Sequence, residues 1–163
     1  RERAPFGAYA YTVDPDEGHT EAKVPDIKAE IASRSIAETG ASLFEFKVGR
    51  HSVDCDISTI CALRDALGPD VALAADANMG FSLDGAKRLL DGVAKAGLAN
   101  IEEPVADLAD LAQLRAEFDV PVSTHCINLD TLKPFPQIDA VVPNDDVHGF
   151  VLLTRNSSRN TAF

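Results

Sequence analysis

The stretch Leu43-Phe44-Glu45-Phe46-Lys47-Val48-Gly49, with its downstream partner Val71-Ala72-Leu73-Ala74-Ala75-Asp76-Ala77-Asn78, decides the reading of this chain. Each is a short apolar run with glycine or proline punctuation nearby, the pattern of a buried strand. Between them, Asp56 to Leu67 sets Ile57, Ile60, Cys61 and Leu67 on or near one helical face, and Gly68-Pro69 stops it. Strand, helix and strand in that order form a βαβ unit, which implies parallel strands with the helix outside.

The alternation continues in both directions. Upstream, Phe6 to Val13 reads as a strand, and Pro25 opens a helix carrying Ile27, Ile31, Ile36 and Ala37, closed by Gly40. Downstream, Ser82 is the N-cap expected for a helix with Leu83, Ala86, Leu89, Leu90 and Val93, ending at Gly97. A short strand around Asn100-Ile101-Glu102 precedes a helix capped by Asp107, with Leu108, Leu111, Leu114 and Phe118. Val120 to Thr124 is a fifth strand. The next helix is short because Pro134 and Pro136 interrupt it, and Ile138 to Val142 is a sixth strand.

Two closures fit this count: a doubly wound open sheet, or a parallel (β/α) barrel of the TIM type. A full barrel takes roughly 250 residues, about 31 per unit, so this chain supplies an incomplete one of about six of eight βα units. Neither GxGxxG nor GxxxxGK[ST] occurs, which weakens the nucleotide-binding form of an open sheet. The expected organisation is a partial barrel over 1–150 and an irregular polar tail over 151–163.

The chain has 163 residues, 45% apolar and 25% charged, the balance of a soluble globular domain. Fifteen Lys and Arg against 26 Asp and Glu give a net charge of −11. That balance argues against a nucleic-acid binder, which wants a basic face, and equally against an anionic membrane surface. No apolar run approaches the roughly 18 residues of a membrane span, and the start, Arg1 to Phe6, is not expected to be a signal peptide. Cys55, Cys61 and Cys126 show no CxxC spacing. A disulfide framework is not expected, and a reducing cytoplasm is.

Parallel α/β folds carry function at the C-terminal ends of their strands. There this chain places Glu45 with Lys47, Asp76 with Asn78, Glu102 with Glu103, then His125, and finally Asn144-Asp145-Asp146 with His148. Taken singly, each has an ordinary reading: a loop-capping Asp, an exposed Glu-Pro turn, a snorkelling lysine, a structural histidine. Gathered in one ring, they create a strong negative potential. A divalent cation held by Asp76 and Glu102 relieves it, and hard oxygen ligands suit Mg²⁺. Lys47 beside such a cation has its proton loosened by repulsion and burial, as a general base requires. Glu45, two residues from Lys47 on the same face, is expected to pair with it and oppose that role.

Phe46-Lys47-Val48-Gly49-Arg50, then Leu63-Arg64-Asp65-Ala66-Leu67-Gly68-Pro69-Asp70, Asp76-Ala77-Asn78 with Gly80, and Ile101-Glu102-Glu103-Pro104 together resemble the enolase superfamily, specifically the barrel domain of its mandelate racemase/muconate lactonizing group. The similarity runs from about Ala4 to Gly149. It implies that Asp76 and Glu102 are Mg²⁺ ligands and that Lys47 is the second lysine of a KxK base motif. His125 is the nearest candidate for the third ligand, with Asn78 and Asp145 as further catalytic candidates. Val120-Pro121-Val122 is similar to the corresponding stretch of glucarate dehydratase-like members. The resemblance therefore implies a lyase acting on a small-molecule carboxylate: Mg²⁺-dependent abstraction of the proton α to the carboxylate, with loss of a β-hydroxyl from an acid sugar. A racemase, epimerase or cycloisomerase of the same superfamily is the alternative outcome, and a non-catalytic truncated domain is the third reading.

The chain departs from the family pattern. Glu45 stands where the first lysine of KxK belongs, and Asn144 stands about where a strand-six aspartate is expected. Strands seven and eight, a second-base histidine and a capping domain have no counterpart in this sequence. As it stands, the chain is expected to lack appreciable turnover and to form a homo-oligomer, with a partly wet inner barrel face lined by Val48, Leu73 and Val122.

Overall fold

The computed structural model describes residues 7–10 and 20–142. Strands β1 (Gly7–Ala10), β2 (Leu43–Lys47), β3 (Ala72–Asp76), β4 (Leu98–Glu102), β5 (Val122–Thr124) and β6 (Ala140–Val141) form one sheet. Its order is β1-β2-β3-β4-β5-β6, with every pairing parallel. A doubly wound sheet reverses its strand order at a switch point; this order never reverses. The fold is therefore a six-stranded portion of a parallel (β/α) barrel. Among the described residues β1 pairs only with β2 and β6 only with β5.

The helices follow the sequence signals. α1 (Val24–Thr39) has Pro25 in its first turn and Gly40 in the left-handed conformation after its end. α2 (Val53–Leu67) is capped by the Ser52 hydroxyl, which accepts from the Cys55 amide, and it starts three residues before the expected Asp56. α3 (Leu83–Gly92) and α4 (Leu108–Glu117) are capped by Ser82 and Asp107. A short α5 (Leu129–Leu132) is capped by Asn128.

Two expectations are corrected. The helix at Pro25 forms, but its buried stripe is Val24, Lys28 and Ala32, spaced i, i+4 and i+8; Ile31 is exposed. The long aliphatic stem of Lys28 lets a charged residue occupy the buried face. Val48, Leu73 and Val122 do not line the inner barrel face. They are buried in one cluster with Leu63, Leu89, Leu90, Leu111 and Leu114 of the helices. Strand period explains this: Leu73 is an odd step from Asp76, so the two point to opposite faces.

Two backbone devices frame the upper and lower ends of the sheet. At the upper end the β2–α2 and β3–α3 loops touch through Gly49 and Gly80: a Cβ on Gly80 would lie 2.7 Å from the Gly49 carbonyl oxygen. Gly49 also has φ +82°, which only glycine adopts readily. At the lower end the Arg64 guanidinium donates to the carbonyls of Gly68, Val71 and Ala96, tying the loops that enter β3 and β4.

Candidate active site

Strand register builds the site. Lys47 is level with Asp76, and Asp76 with Glu102, across three adjacent strands. Adjacent strands lie about 4.8 Å apart, so side chains on one row and one face meet directly. The Lys47 ammonium donates to Asp76 Oδ2. The other Asp76 oxygen accepts the Asn78 amide at 3.2 Å. Glu102 Oε1 lies 2.7 Å from His125 Nε2, and His125 Nδ1 is 2.7 Å from the Val142 carbonyl oxygen. A carbonyl only accepts, so Nδ1 carries a proton, and one further proton lies between Nε2 and Glu102.

Asp76 and Glu102 are 5% and 7% exposed. Burial, followed by the negative charge of Asp76, pushes the Glu102 carboxyl up to about 7, against the pull of His125. Burial and then Asp76 also raise Glu45 above the usual carboxylate range. Burial lowers the affinity of Lys47 for its proton, but the hydrogen bond and charge of Asp76 outweigh it, with help from Tyr9, and hold it above the ordinary lysine range.

Lys47, Asp76, Asn78, Glu102 and His125 are thus brought to one end of the sheet. The bonded carboxylate of Lys47 is Asp76 rather than the expected Glu45, which Lys47 touches only as a nearby charge. Asp145 lies outside the described residues, as do Asn144, Asp146 and His148.

Two residues went unassigned in the sequence. Tyr9 is level with Glu45, and its phenol hydrogen-bonds Lys47. The signal available was its position in the first strand, one strand period from the row. Glu103 is not a free turn residue. Its carboxylate accepts from the Thr124 hydroxyl at 3.0 Å and the His125 amide at 2.8 Å, fastening β4 to β5. Asn78, Met79 and Glu103 all have φ between 41° and 58°, a strained left-handed conformation that gathers at functional sites.

Among the described residues no three of His, Cys, Asp and Glu already converge as a metal cage. The donor set still fits a hard divalent cation. Two buried carboxylates on adjacent strands crowd each other's charge, and Glu102 shows the strain of it. An ion between them removes the conflict.

The family model "Enolase C-terminal domain-like" matches residues 28–142. The chain belongs to that family. Its neighbours place this enolase-type barrel in the mandelate racemase/muconate lactonizing group. It is 36% identical over 138 residues to 3,6-anhydro-alpha-L-galactonate cycloisomerase of Streptomyces coelicolor, covering 80% of this chain and 36% of that protein. An isomerase structure from Streptomyces coelicolor A3(2) superposes with TM-score 0.75 at 26% identity, covering 85% of this chain and 38% of that one. D-glucarate dehydratase from Agrobacterium tumefaciens, complexed with magnesium, does so with TM-score 0.60 at 26% identity, covering 71% and 32%. The chain spans about a third of the length of the curated relatives it matches. Its relatives include both acid-sugar dehydratases and cycloisomerases. Among the described residues no helix is long and apolar enough to cross a membrane.

Proposed function

We propose that this barrel belongs to a Mg²⁺-dependent enzyme that removes the proton α to a carboxylate, with dehydration of an acid sugar as the net reaction. The row Lys47, Asp76, Glu102 carries this reading: a proton carrier beside two crowded, buried carboxylates on adjacent strands. Asp76 and Glu102 would hold the cation, with His125 as the third residue that would contribute. The bound cation supplies Lewis-acid stabilisation of the enolised carboxylate.

The chain's own groups define the proton path. Lys47 Nζ is bound to Asp76, which holds its proton on rather than loosening it as expected, so it removes an α-proton only after parting from that carboxylate and releasing its own proton to solvent. Tyr9 then remains as its hydrogen-bond partner and orients it. The Asn78 amide keeps one Asp76 oxygen fixed while the other is exchanged. Loss of a β-hydroxyl needs an acid, and Asp145, outside the described residues, is the candidate the sequence offers for it. Likeness to a cycloisomerase and an isomerase favours a second outcome from the same first step, in which the proton returns or a ring closes.

Titration with Mg²⁺, or with Mn²⁺ read by electron paramagnetic resonance, tests the site. One ion is expected per chain, lost in Asp76→Asn and Glu102→Gln. Proton abstraction is read as Mg²⁺-dependent loss of the α-proton signal of an aldarate in D₂O, absent in Lys47→Ala. Equal ion binding by wild type and both carboxylate variants would sink the proposal.

A further inference from the structure

Lys28 and Asp56 are each 1% exposed, although both carry ionisable groups. They lie on the helix side of β2, away from the row of Lys47, Asp76 and Glu102. Lys28 comes from α1, and its ammonium is 6.0 Å from the centre of the Phe46 ring. Asp56 comes from the first turn of α2.

Their bonds converge on one short piece of backbone. Lys28 Nζ donates to the Lys47 carbonyl oxygen at 2.5 Å. The other half of that peptide, the Val48 amide, donates to the Asp76 carbonyl oxygen at 2.9 Å. The next amide, Gly49, donates to Asp56 Oδ2 at 2.9 Å. Three successive polar groups are thus held from three elements: α1, β3 and α2. Asp56 Oδ1 has no hydrogen-bond partner among the described residues, so the carboxylate is committed on one side only.

Buried charged groups are a poor source of stability, because apolar residues of similar volume often serve as well or better. What it supplies here is a fixed geometry. Lys47 ends a flexible four-carbon stem, and the direction of that stem is set by the peptide planes on either side of its Cα. We propose that Lys28 and Asp56 are positioning residues that lock the Lys47–Gly49 backbone from outside the barrel, and so set the angle at which Lys47 leaves β2 toward Asp76. The inference rests on the proposed role of Lys47 for its catalytic meaning; the lock itself is a property of the backbone.

The test is residue-resolved amide hydrogen exchange on the full chain, with the ¹⁵N resonance of the Lys47 ammonium followed in parallel. Lys28→Met keeps the buried volume without the ammonium, and Asp56→Asn keeps the shape without the charge. In Lys28→Met the Val48 and Gly49 amides are expected to exchange about tenfold faster, with the Ile101 amide unchanged and the Lys47 resonance shifted. Lys28→Arg, which restores a donor, should return Val48 to within about twofold of wild type. Asp56→Asn should speed Gly49 selectively, and it carries the test if Lys28→Met does not fold. The proposal is overturned if Val48 and Gly49 rise no more than Ile101, or if the Lys47 resonance stays in place in every folded variant. Failure of wild-type protein to bind Mg²⁺ would remove the reading of the site and leave this exchange pattern as it is.

Discussion

The two ends of the sheet each hold a half-buried cation, and they treat it differently. At the lower end the hydrogen bonds of Arg64 go to backbone carbonyls, those of Gly68, Val71, Ala96 and Gly97. Every charge there is spent on holding loops together. At the upper end Lys47 meets a carboxylate, which is itself crowded by a second carboxylate on the next strand. The same end carries the left-handed residues Asn78, Met79 and Glu103. One end is arranged for stability, and the other accepts conflict that a ligand can resolve.

The largest expected effect falls on the upper end. Asp76→Asn should weaken Mg²⁺ binding on the order of a hundredfold, at the top of the roughly 10–100-fold typical of an outer partner of a metal ligand. Isothermal titration against wild type reads it, and the metal-free melting temperature should not fall. Arg64→Met should do the reverse. Removing a charged donor from four carbonyls costs about 2–4 kcal/mol of stability, measurable by urea unfolding, with Mg²⁺ affinity in the folded protein kept. If Arg64→Met weakened ion binding as much as stability, the two ends would not be separate devices.

Gly80→Ala links the ends less strongly. Its methyl group meets the Gly49 and Ala77 carbonyl oxygens, both backbone atoms, so the loops must shift, at about 1–3 kcal/mol. Thermal unfolding should show that loss together with a few-fold weaker Mg²⁺ affinity, because Asn78 moves with the loop.

The smallest effect is in pH. Glu102 titrates at about 7 in the folded protein, well above an exposed glutamate at roughly 4.3. The metal-free folded chain therefore keeps a proton that the unfolded chain has already lost. The stability from that proton is full below the ordinary glutamate value and disappears as pH rises toward 7. Melting curves in a chelator at pH 5 and pH 8 should differ less in Glu102→Gln than in wild type. Mg²⁺ binding has the opposite sense, tightening as pH rises through 7. A wild-type pH dependence identical to that of Glu102→Gln would contradict the crowding of the two carboxylates.

Much of this was legible because the chain punctuates itself. Gly40, Gly68-Pro69, Ser82 and Asp107 mark helix ends by local physics alone, and the structure keeps those boundaries. The row of acids and lysine was legible too, since strand ends in a parallel fold share one level. Pairing was not. Glu45 and Lys47 share a face, but residues i and i+2 are separated by almost 7 Å along a strand, whereas the neighbouring strand is about 4.8 Å away. Asp76 therefore wins the lysine. Lys28 escaped for a related reason: periodicity marks which positions are apolar, and it does not register a charged residue whose stem fills an apolar slot. Glu103 and Tyr9 needed the register between strands, which no local pattern contains.

The contact between Gly49 and Gly80 has a kinetic side. Two loops whose backbones leave no room for a Cβ between them do not fluctuate independently. One of these loops follows Lys47 and the other follows Asp76, so the two groups that must separate before any proton moves are followed by loops that move together. Their loops explore fewer arrangements than two free ones would, and less conformational entropy is lost when a ligand orders them. Relaxation dispersion should therefore find a single exchange process common to both loops rather than two.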